Sequence, residues 1–147
     1  MKSVVEDIKK GSFKPVYLFY GEEAYLKQQY KNRLKDAVLP EGDTINLSIY
    51  SGKGIDVEEM IAQADTMPFF AEHRLLLIED SGFFKNANQQ LAEYIPSIPE
   101  ETIMLFVESE VDKRGKLYKA VSKKGSVVEF TAQNEQTLTR WILGILK

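Results

Sequence analysis

A glycine and a lysine six residues apart, Gly21 and Lys27, match two of the four fixed positions of the phosphate-binding loop pattern G-x-x-x-x-G-K-[ST]. Such a loop wraps nucleotide phosphates in backbone amides and holds magnesium through its hydroxyl group. Leu26 stands where the second glycine is required, and Gln28 replaces the hydroxyl residue. The two glutamates after Gly21 would enter the first helical turn and repel a phosphate there. The pattern therefore predicts a structural turn, with live nucleotide binding as the alternative.

Carboxylates follow two of the apolar runs in the chain. Glu79 and Asp80 end a run of leucines and isoleucine, which resembles the magnesium-binding strand of P-loop ATPases with its acids in reversed order. Three more acidic residues follow a later run: Glu108, Glu110 and Asp112. Paired carboxylates can perform acid–base chemistry. The plainer interpretation is a solvated loop in which Asp112 caps the next helix.

A basic stretch begins at Lys113 and includes Arg114 and Lys116, with three further lysines up to position 124. Cationic side chains on one helix could contact DNA phosphates. A solvated helix face with no partner is the alternative interpretation.

The segment Met67-Pro68-Phe69-Phe70 places large apolar residues between a predicted helix and a predicted strand. Pro68 stiffens the backbone and ends the preceding helix. Two interpretations stay open at this point. The side chains either pack into the core of their own domain or form a hydrophobic wedge held out for a partner protein.

The 147 residues, 44% hydrophobic and 28% charged, indicate one globular domain and exclude a disordered tail. The chain has no cysteine, which removes disulfide scaffolds and thiol nucleophiles and fits a reducing cytoplasm. His73 is the only histidine, so a Ser-His triad or a multi-histidine metal site is close to excluded. The net charge of −3 gives no general attraction to nucleic acid. No apolar run approaches about 18 residues and no signal peptide is visible, so no membrane association is expected.

Apolar patterning predicts five strands, each followed by a helix, after a short opening helix that ends near Gly11. The predicted strands cover residues 16–20, 44–50, 74–78, 102–107 and 126–130. The strand at 44–50 alternates apolar and polar residues, which is typical of a sheet edge. Asp56 is expected to cap the third helix, and Gly125 to close the lysine-rich one. This alternation of strands and helices predicts a parallel sheet with helices on both faces.

Several of these segments, in their order and spacing, resemble the delta subunit family of the bacterial DNA polymerase III clamp loader. They are Pro15 to Gly21 with Tyr25-Leu26, Met67 to Phe70 leading into residues 74–79, Asp112-Lys113-Arg114 with residues 116–119, residues 127–130, and Trp141-Ile142. The resemblance implies an AAA+-like P-loop fold with strand order 5-1-4-3-2 and a non-functional nucleotide site. It implies no catalysis, no cofactor and no metal. Residues 1–147 would be the first, clamp-binding domain of a three-domain chain, as the uncapped final helix at 138–146 also suggests.

The same resemblance implies a function in DNA replication. The domain would bind the sliding clamp through Met67, Pro68, Phe69 and Phe70 and help to open the ring. Its partners would be the clamp, the other loader subunits and, through the assembled complex, DNA. Two alternatives remain: a divergent P-loop ATPase domain, and a flavodoxin-like binding domain with strand order 2-1-3-4-5.

Overall fold

The computed structural model describes residues 2–39, 45–69, 71–85 and 88–130, and the structural statements below concern these ranges. They contain five strands: β1 (Val16–Tyr20), β2 (Leu47–Ser51), β3 (Arg74–Glu79), β4 (Thr102–Glu108) and β5 (Ser126–Glu129). The strands form one parallel sheet in the order β2-β3-β4-β1-β5. This order confirms the predicted 5-1-4-3-2 arrangement, counted from the other edge, and rules out the flavodoxin-like order.

Strand β1 lies inside the sheet, where Leu18 is in register with Phe106 of β4 and with Val127 of β5. All five of its residues are buried, because helices cover both faces of the central strands. The predicted edge position of β2 is confirmed, since it pairs with β3 alone among the described strands. However, the strand begins at Leu47, three residues later than expected.

The alternating isoleucines of the β2 region are not buried. Ile45 and Ile49 are 64% and 61% exposed, and only Leu47 between them packs against the core, where it is partly buried. A strand at the edge of a sheet has a neighbour on one side only, so its side chains are less completely covered. The apolar alternation therefore predicted the strand and its position at the edge but not the exposure of its residues.

Helices cover both faces of the sheet, as the sequence predicts. The helices are α1 (Lys2–Lys10), α2 (Ala24–Val38), α3 (Val57–Ala64), α4 (Gln89–Tyr94) with a following 3-10 turn (Ile95–Ser97), and α5 (Lys116–Lys124). Because side chains alternate across a strand, Phe19 joins a core with α1 and α2. Its neighbour Leu18 points the other way and packs with α3, α4 and α5. Across the described ranges, no helix combines the length and apolarity needed to span a bilayer.

The helix starts agree with the predictions in part. Asp56 caps α3, as expected, by accepting hydrogen bonds from the backbone N–H groups of Glu58 and Glu59 at 3.1 and 3.3 Å. The prediction that Asp112 caps α5 is wrong. Its carboxylate accepts from the N–H of Arg114 at 2.9 Å and closes a turn that precedes the helix.

Two more predictions concern where helices begin and end. The two glutamates after Gly21 were expected inside the first turn of α2, but that helix begins after them, at Ala24. Gly125 closes α5 as predicted, and its N–H donates to the carbonyl of Val121 at 2.8 Å. The predicted helix at 138–146, with Trp141, lies outside the described residues.

Candidate functional site

The residues at the positions of the phosphate-loop pattern make contacts within the domain, beginning with the lysine. Lys27 is only 6% exposed, and its Nζ donates a hydrogen bond to the backbone carbonyl oxygen of Glu108 at 3.1 Å. Burial lowers the pKa of the Lys27 ammonium, while the carboxylates of Asp80 and Glu108 act in the opposite direction. The lysine therefore points at the end of β4 and lies among acidic side chains of its own domain.

The other positions of the phosphate-loop pattern also have structural contacts. Leu26, on the buried face of α2, is part of the core. The side-chain amide of Gln28 donates to a carboxylate oxygen of Glu79 at 3.3 Å. Gly21 has a φ of +121°, and a Cβ atom there would lie 2.4 Å from the carbonyl oxygen of Phe130. This glycine allows the chain to turn closely past the end of β5. Gly21 therefore forms a close turn, while the other three residues lie in the first turns of α2 and contact other parts of the domain.

Glu108 is a buried carboxylate at the end of β4, 2% exposed. It accepts hydrogen bonds from the backbone N–H groups of Ser81 and Gly82 at 3.1 and 2.9 Å, and from the Ser81 hydroxyl at 3.1 Å. Burial raises the pKa of Glu108, and these hydrogen bonds partly offset the increase. The carboxylate thus ties the loop after β3 to the end of β4.

The three carboxylates at and after the end of β4 do not converge on one site. Glu108 is buried, which corrects the expectation of a fully solvated loop, while Glu110 is exposed and forms an ion pair with Lys85 at 2.9 Å. Asp112 closes its own turn. Among the described residues, no three histidine, aspartate or glutamate side chains are grouped so as to hold a metal ion. These three residues therefore do not form with one another the paired carboxylates that acid–base chemistry would need.

The apolar residues after α3 are exposed where the structure describes them. Met67 is 72% exposed and Phe69 57%, with Pro68 partly buried between them. Phe70 lies outside the described residues. We call residues 67–69 the exposed segment. Its two large side chains favour the solvent-facing interpretation of this region over packing into the core.

The backbone of the exposed segment is held by Asn46, a residue that the sequence did not single out. The side-chain oxygen of Asn46 accepts from the N–H of Phe69 at 2.6 Å, and its amide nitrogen donates to the carbonyl of Phe69 at 2.9 Å. We call these two bonds the Asn46 bridge. Asn46 is 1% exposed. A buried polar side chain needs partners, but the sequence offers no signal that the partner lies 23 positions further along.

The basic residues before and within α5 are exposed, except Lys124 at the end of the helix, which is partly buried. The ammonium group of Lys113 lies 5.8 Å from the centre of the Tyr20 ring, and the guanidinium of Arg114 lies 3.3 Å from the carboxylate of Asp112. Lys116 begins α5. Contact of Lys113, Arg114 and Lys116 with DNA stays a prediction, and duplex binding that weakens steeply with salt would test it.

Comparison with known proteins places these features in a family. A family model for the DNA polymerase III delta subunit matches residues 17–131. The DNA polymerase III subunit delta of Bacillus subtilis (strain 168) is 29% identical over 156 residues, covering 98% of this chain and 45% of the relative. The solved Bacillus subtilis DNA clamp loader delta protein has a TM-score of 0.78 and 30% identity, covering 88% of this chain and 42% of that one.

Two more distant structures share the fold alone. A DNA polymerase III gamma subunit-related protein of Thermotoga maritima has a TM-score of 0.64 and 13% identity, covering 89% of this chain and 45% of that one. The Thermotoga maritima RuvB Holliday junction branch migration motor has a TM-score of 0.51 and 12% identity, with coverages of 88% and 42%. These likenesses support the predicted AAA+-like P-loop fold. The chain spans less than half the length of each relative named here. Because the family match runs from the second residue of β1 through β5 and includes α2 to α5, this chain belongs to the DNA polymerase III delta subunit family.

Proposed function

We propose that this chain acts in a clamp loader as the domain of the delta subunit that binds a ring-shaped sliding clamp and helps to open it for loading on DNA. The observation that carries the proposal is the exposure of Met67 and Phe69 at the position that the family resemblance assigns to clamp contact. Phe70 lies outside the described residues and is included in the proposal on its sequence position alone. The partners would be the clamp, the other loader subunits and, through the assembled complex, DNA.

The chemistry of the exposed segment suits an apolar pocket on a partner. Burying a large apolar side chain is worth about 1.5–3 kcal/mol. Association and side-chain ordering offset much of this gain. A contact made by so few residues would therefore have a dissociation constant on the order of micromolar. Such an affinity allows the domain to bind a clamp and to release it again.

Opening of the ring would follow from a difference in binding. A ligand shifts an equilibrium between two states only by as much as its affinities for them differ. The domain would open the clamp if the exposed segment binds near a subunit interface and fits the open ring better than the closed one. Binding of equal strength to both forms would leave the ring closed.

The role proposed for this chain is mechanical and includes no hydrolysis of nucleotide. The buried ammonium of Lys27 is engaged by the carbonyl of Glu108, and Leu26 fills the core at the position of the second loop glycine. Control by ATP would then act through other subunits of the loader, which would regulate access to the exposed segment.

The proposal predicts that binding to a bacterial sliding clamp depends on Phe69. Isothermal titration calorimetry of the chain with the clamp should give a saturable signal. Phe69→Ala should weaken it by roughly tenfold or more, because a central aromatic anchor is lost. The thermal unfolding midpoint should stay near the wild-type value, since the ring is 57% exposed.

A matched control is Ile49→Ala. Ile49 is 61% exposed, similar to Phe69, but lies on β2. Truncation of the Ile49 side chain should leave clamp affinity unchanged. No binding by the wild-type chain, or equal weakening by both substitutions, would contradict the proposal.

A further inference from the structure

We propose that Asn46 is a positioning residue for clamp binding, which holds the exposed segment in the conformation that the clamp recognises. This inference rests on the function proposed above. Asn46 itself is 1% exposed and would touch no partner. It would act through Phe69, whose backbone it holds while the aromatic ring of Phe69 stays 57% exposed.

The Asn46 bridge engages both polar groups of one peptide residue. Phe69 donates its N–H to the side-chain oxygen of Asn46 at 2.6 Å and accepts from the side-chain nitrogen at 2.9 Å. A primary amide can supply a donor and an acceptor at once, as a paired strand would. With both groups fixed, the direction of the Cα–Cβ bond of Phe69 is fixed as well, and so is the direction in which its ring leaves the backbone.

Asn46 is in turn attached to the sheet. Its carbonyl oxygen accepts a hydrogen bond from the N–H of Leu75 in β3 at 2.8 Å, and the next residue, Leu47, is in register with Leu75. Leu75 is fully buried. The Asn46 bridge therefore connects the exposed segment to an interior strand through a single buried side chain.

The other end of the exposed segment is anchored at the end of α3. The hydroxyl of Thr66, directly before Met67, donates to the carbonyl of Ala62 at 2.8 Å. Pro68 restricts the backbone between the two anchors, because its ring fixes φ. The segment thus presents Met67 and Phe69 to solvent from a backbone held on both sides.

Such anchoring raises affinity without adding a contact. If the binding-competent conformation is populated in only a fraction of molecules, the apparent dissociation constant increases by the inverse of that fraction. Loss of the Asn46 bridge would free the Phe69 backbone and lower this fraction. A decrease to about one-tenth would weaken clamp binding about tenfold, although the apolar side chains remain unchanged.

The variant Asn46→Asp tests this role. Aspartate has nearly the same shape, but its carboxylate cannot donate to the carbonyl of Phe69 and repels it. We expect clamp affinity measured by calorimetry to fall by about tenfold. In hydrogen exchange of the free variant, the amide of Leu77, within β3, should stay protected, which would show that the sheet is intact while clamp affinity falls.

The wild-type chain provides a second measurement that does not depend on the variant folding. The Phe69 amide should be protected from exchange in the free chain, because its N–H is bonded to a buried side chain. Exchange of that amide as fast as in an unstructured peptide would overturn the inference.

The binding results separate the two proposals. If the wild type binds the clamp, Phe69→Ala does not, and Asn46→Asp binds as well as the wild type, the positioning role is wrong and the proposed function stands. If the wild type itself fails to bind, the proposed function is wrong, and the positioning role for clamp binding is overturned with it.

Discussion

Glu108 shows how one side chain links a loop to the end of a strand and makes folding depend on pH. Its carboxylate is buried and bonded to Ser81 and Gly82, and burial raises its pKa above the ordinary value of 4.5. Folding therefore favours the protonated form. The resulting contribution to stability is fully present below the ordinary pKa and is lost as pH rises through the higher pKa of the folded state.

We therefore predict that the wild type loses stability relative to Glu108→Gln as the pH rises above 4.5. Urea unfolding of both proteins over a pH series measures the difference in free energy of unfolding. Glu110→Gln is the control. Lys85 lowers the pKa of this exposed carboxyl, so any dependence should have the opposite sign. A difference between wild type and Glu108→Gln that is independent of pH would contradict the account.

At the scale of elements, the turn between β1 and α2 brings the backbone close to the end of β5. Gly21 has a φ of +121°, and its Cα lies against the backbone of Phe130. The N–H of Phe130 donates to the carbonyl of Tyr20 at 2.7 Å, and the N–H of Glu23 donates to the carbonyl of Phe130 at 3.2 Å. The glycine thus permits a close backbone contact that continues the pairing of β1 with β5.

Replacement of Gly21 by alanine should therefore destabilise the chain. The strained backbone conformation alone should lower the free energy of unfolding by about 1–3 kcal/mol. The clash of the new Cβ with the Phe130 carbonyl should lower it further. Gly54→Ala is a matched control, because Gly54 also has a positive φ of +88° but has no atom within 4 Å of its Cβ position. Denaturant unfolding should show a larger loss for Gly21→Ala, and equal losses would refute the role of the close contact.

The strands and helices were predictable from the sequence where the local order of apolar and polar residues determines them. Strands β1 and β4 carry apolar residues on both faces, so their burial inside a parallel sheet follows from composition. The Asp112 cap was wrong because a short polar side chain can close a turn as readily as it can cap a helix. Pattern alone does not distinguish the two outcomes.

The site was predictable only in part, because its contacts join distant segments. Met67 and Phe69 were visible as apolar residues outside the regular pattern. Their support by Asn46 was not, since the two partners are 23 positions apart. The burial of Glu108 depends likewise on donors 26 and 27 positions away. Hydrophobic periodicity carries no information about such pairs.

At the scale of the whole molecule, the degenerate phosphate-loop region and the exposed segment lie at different ends of the sheet. At the carboxyl ends of β1 and β4, Lys27 is buried against the Glu108 carbonyl. The exposed segment precedes β3 and therefore belongs to the opposite end of the parallel sheet. Nucleotide chemistry and partner binding would thus concern different ends of the domain.

The chain should not bind Mg-ATP. The lysine that would contact the phosphates already has its own partner, and Leu26 lacks the backbone freedom of a loop glycine. Calorimetric titration with Mg-ATP should therefore be flat. Saturable binding would restore the alternative of a divergent P-loop ATPase domain.

The most direct test of clamp binding is the oxidation of Met67 by dilute peroxide, followed by mass spectrometry of peptides. Met67 is 72% exposed, while Met60 and Met104 are fully buried and serve as internal reporters of an intact fold. We predict that Met67 is oxidised quickly in the free chain and is protected by a saturating concentration of sliding clamp, with both buried methionines unoxidised throughout. Oxidation of Met67 at the same rate with and without the clamp would contradict the account.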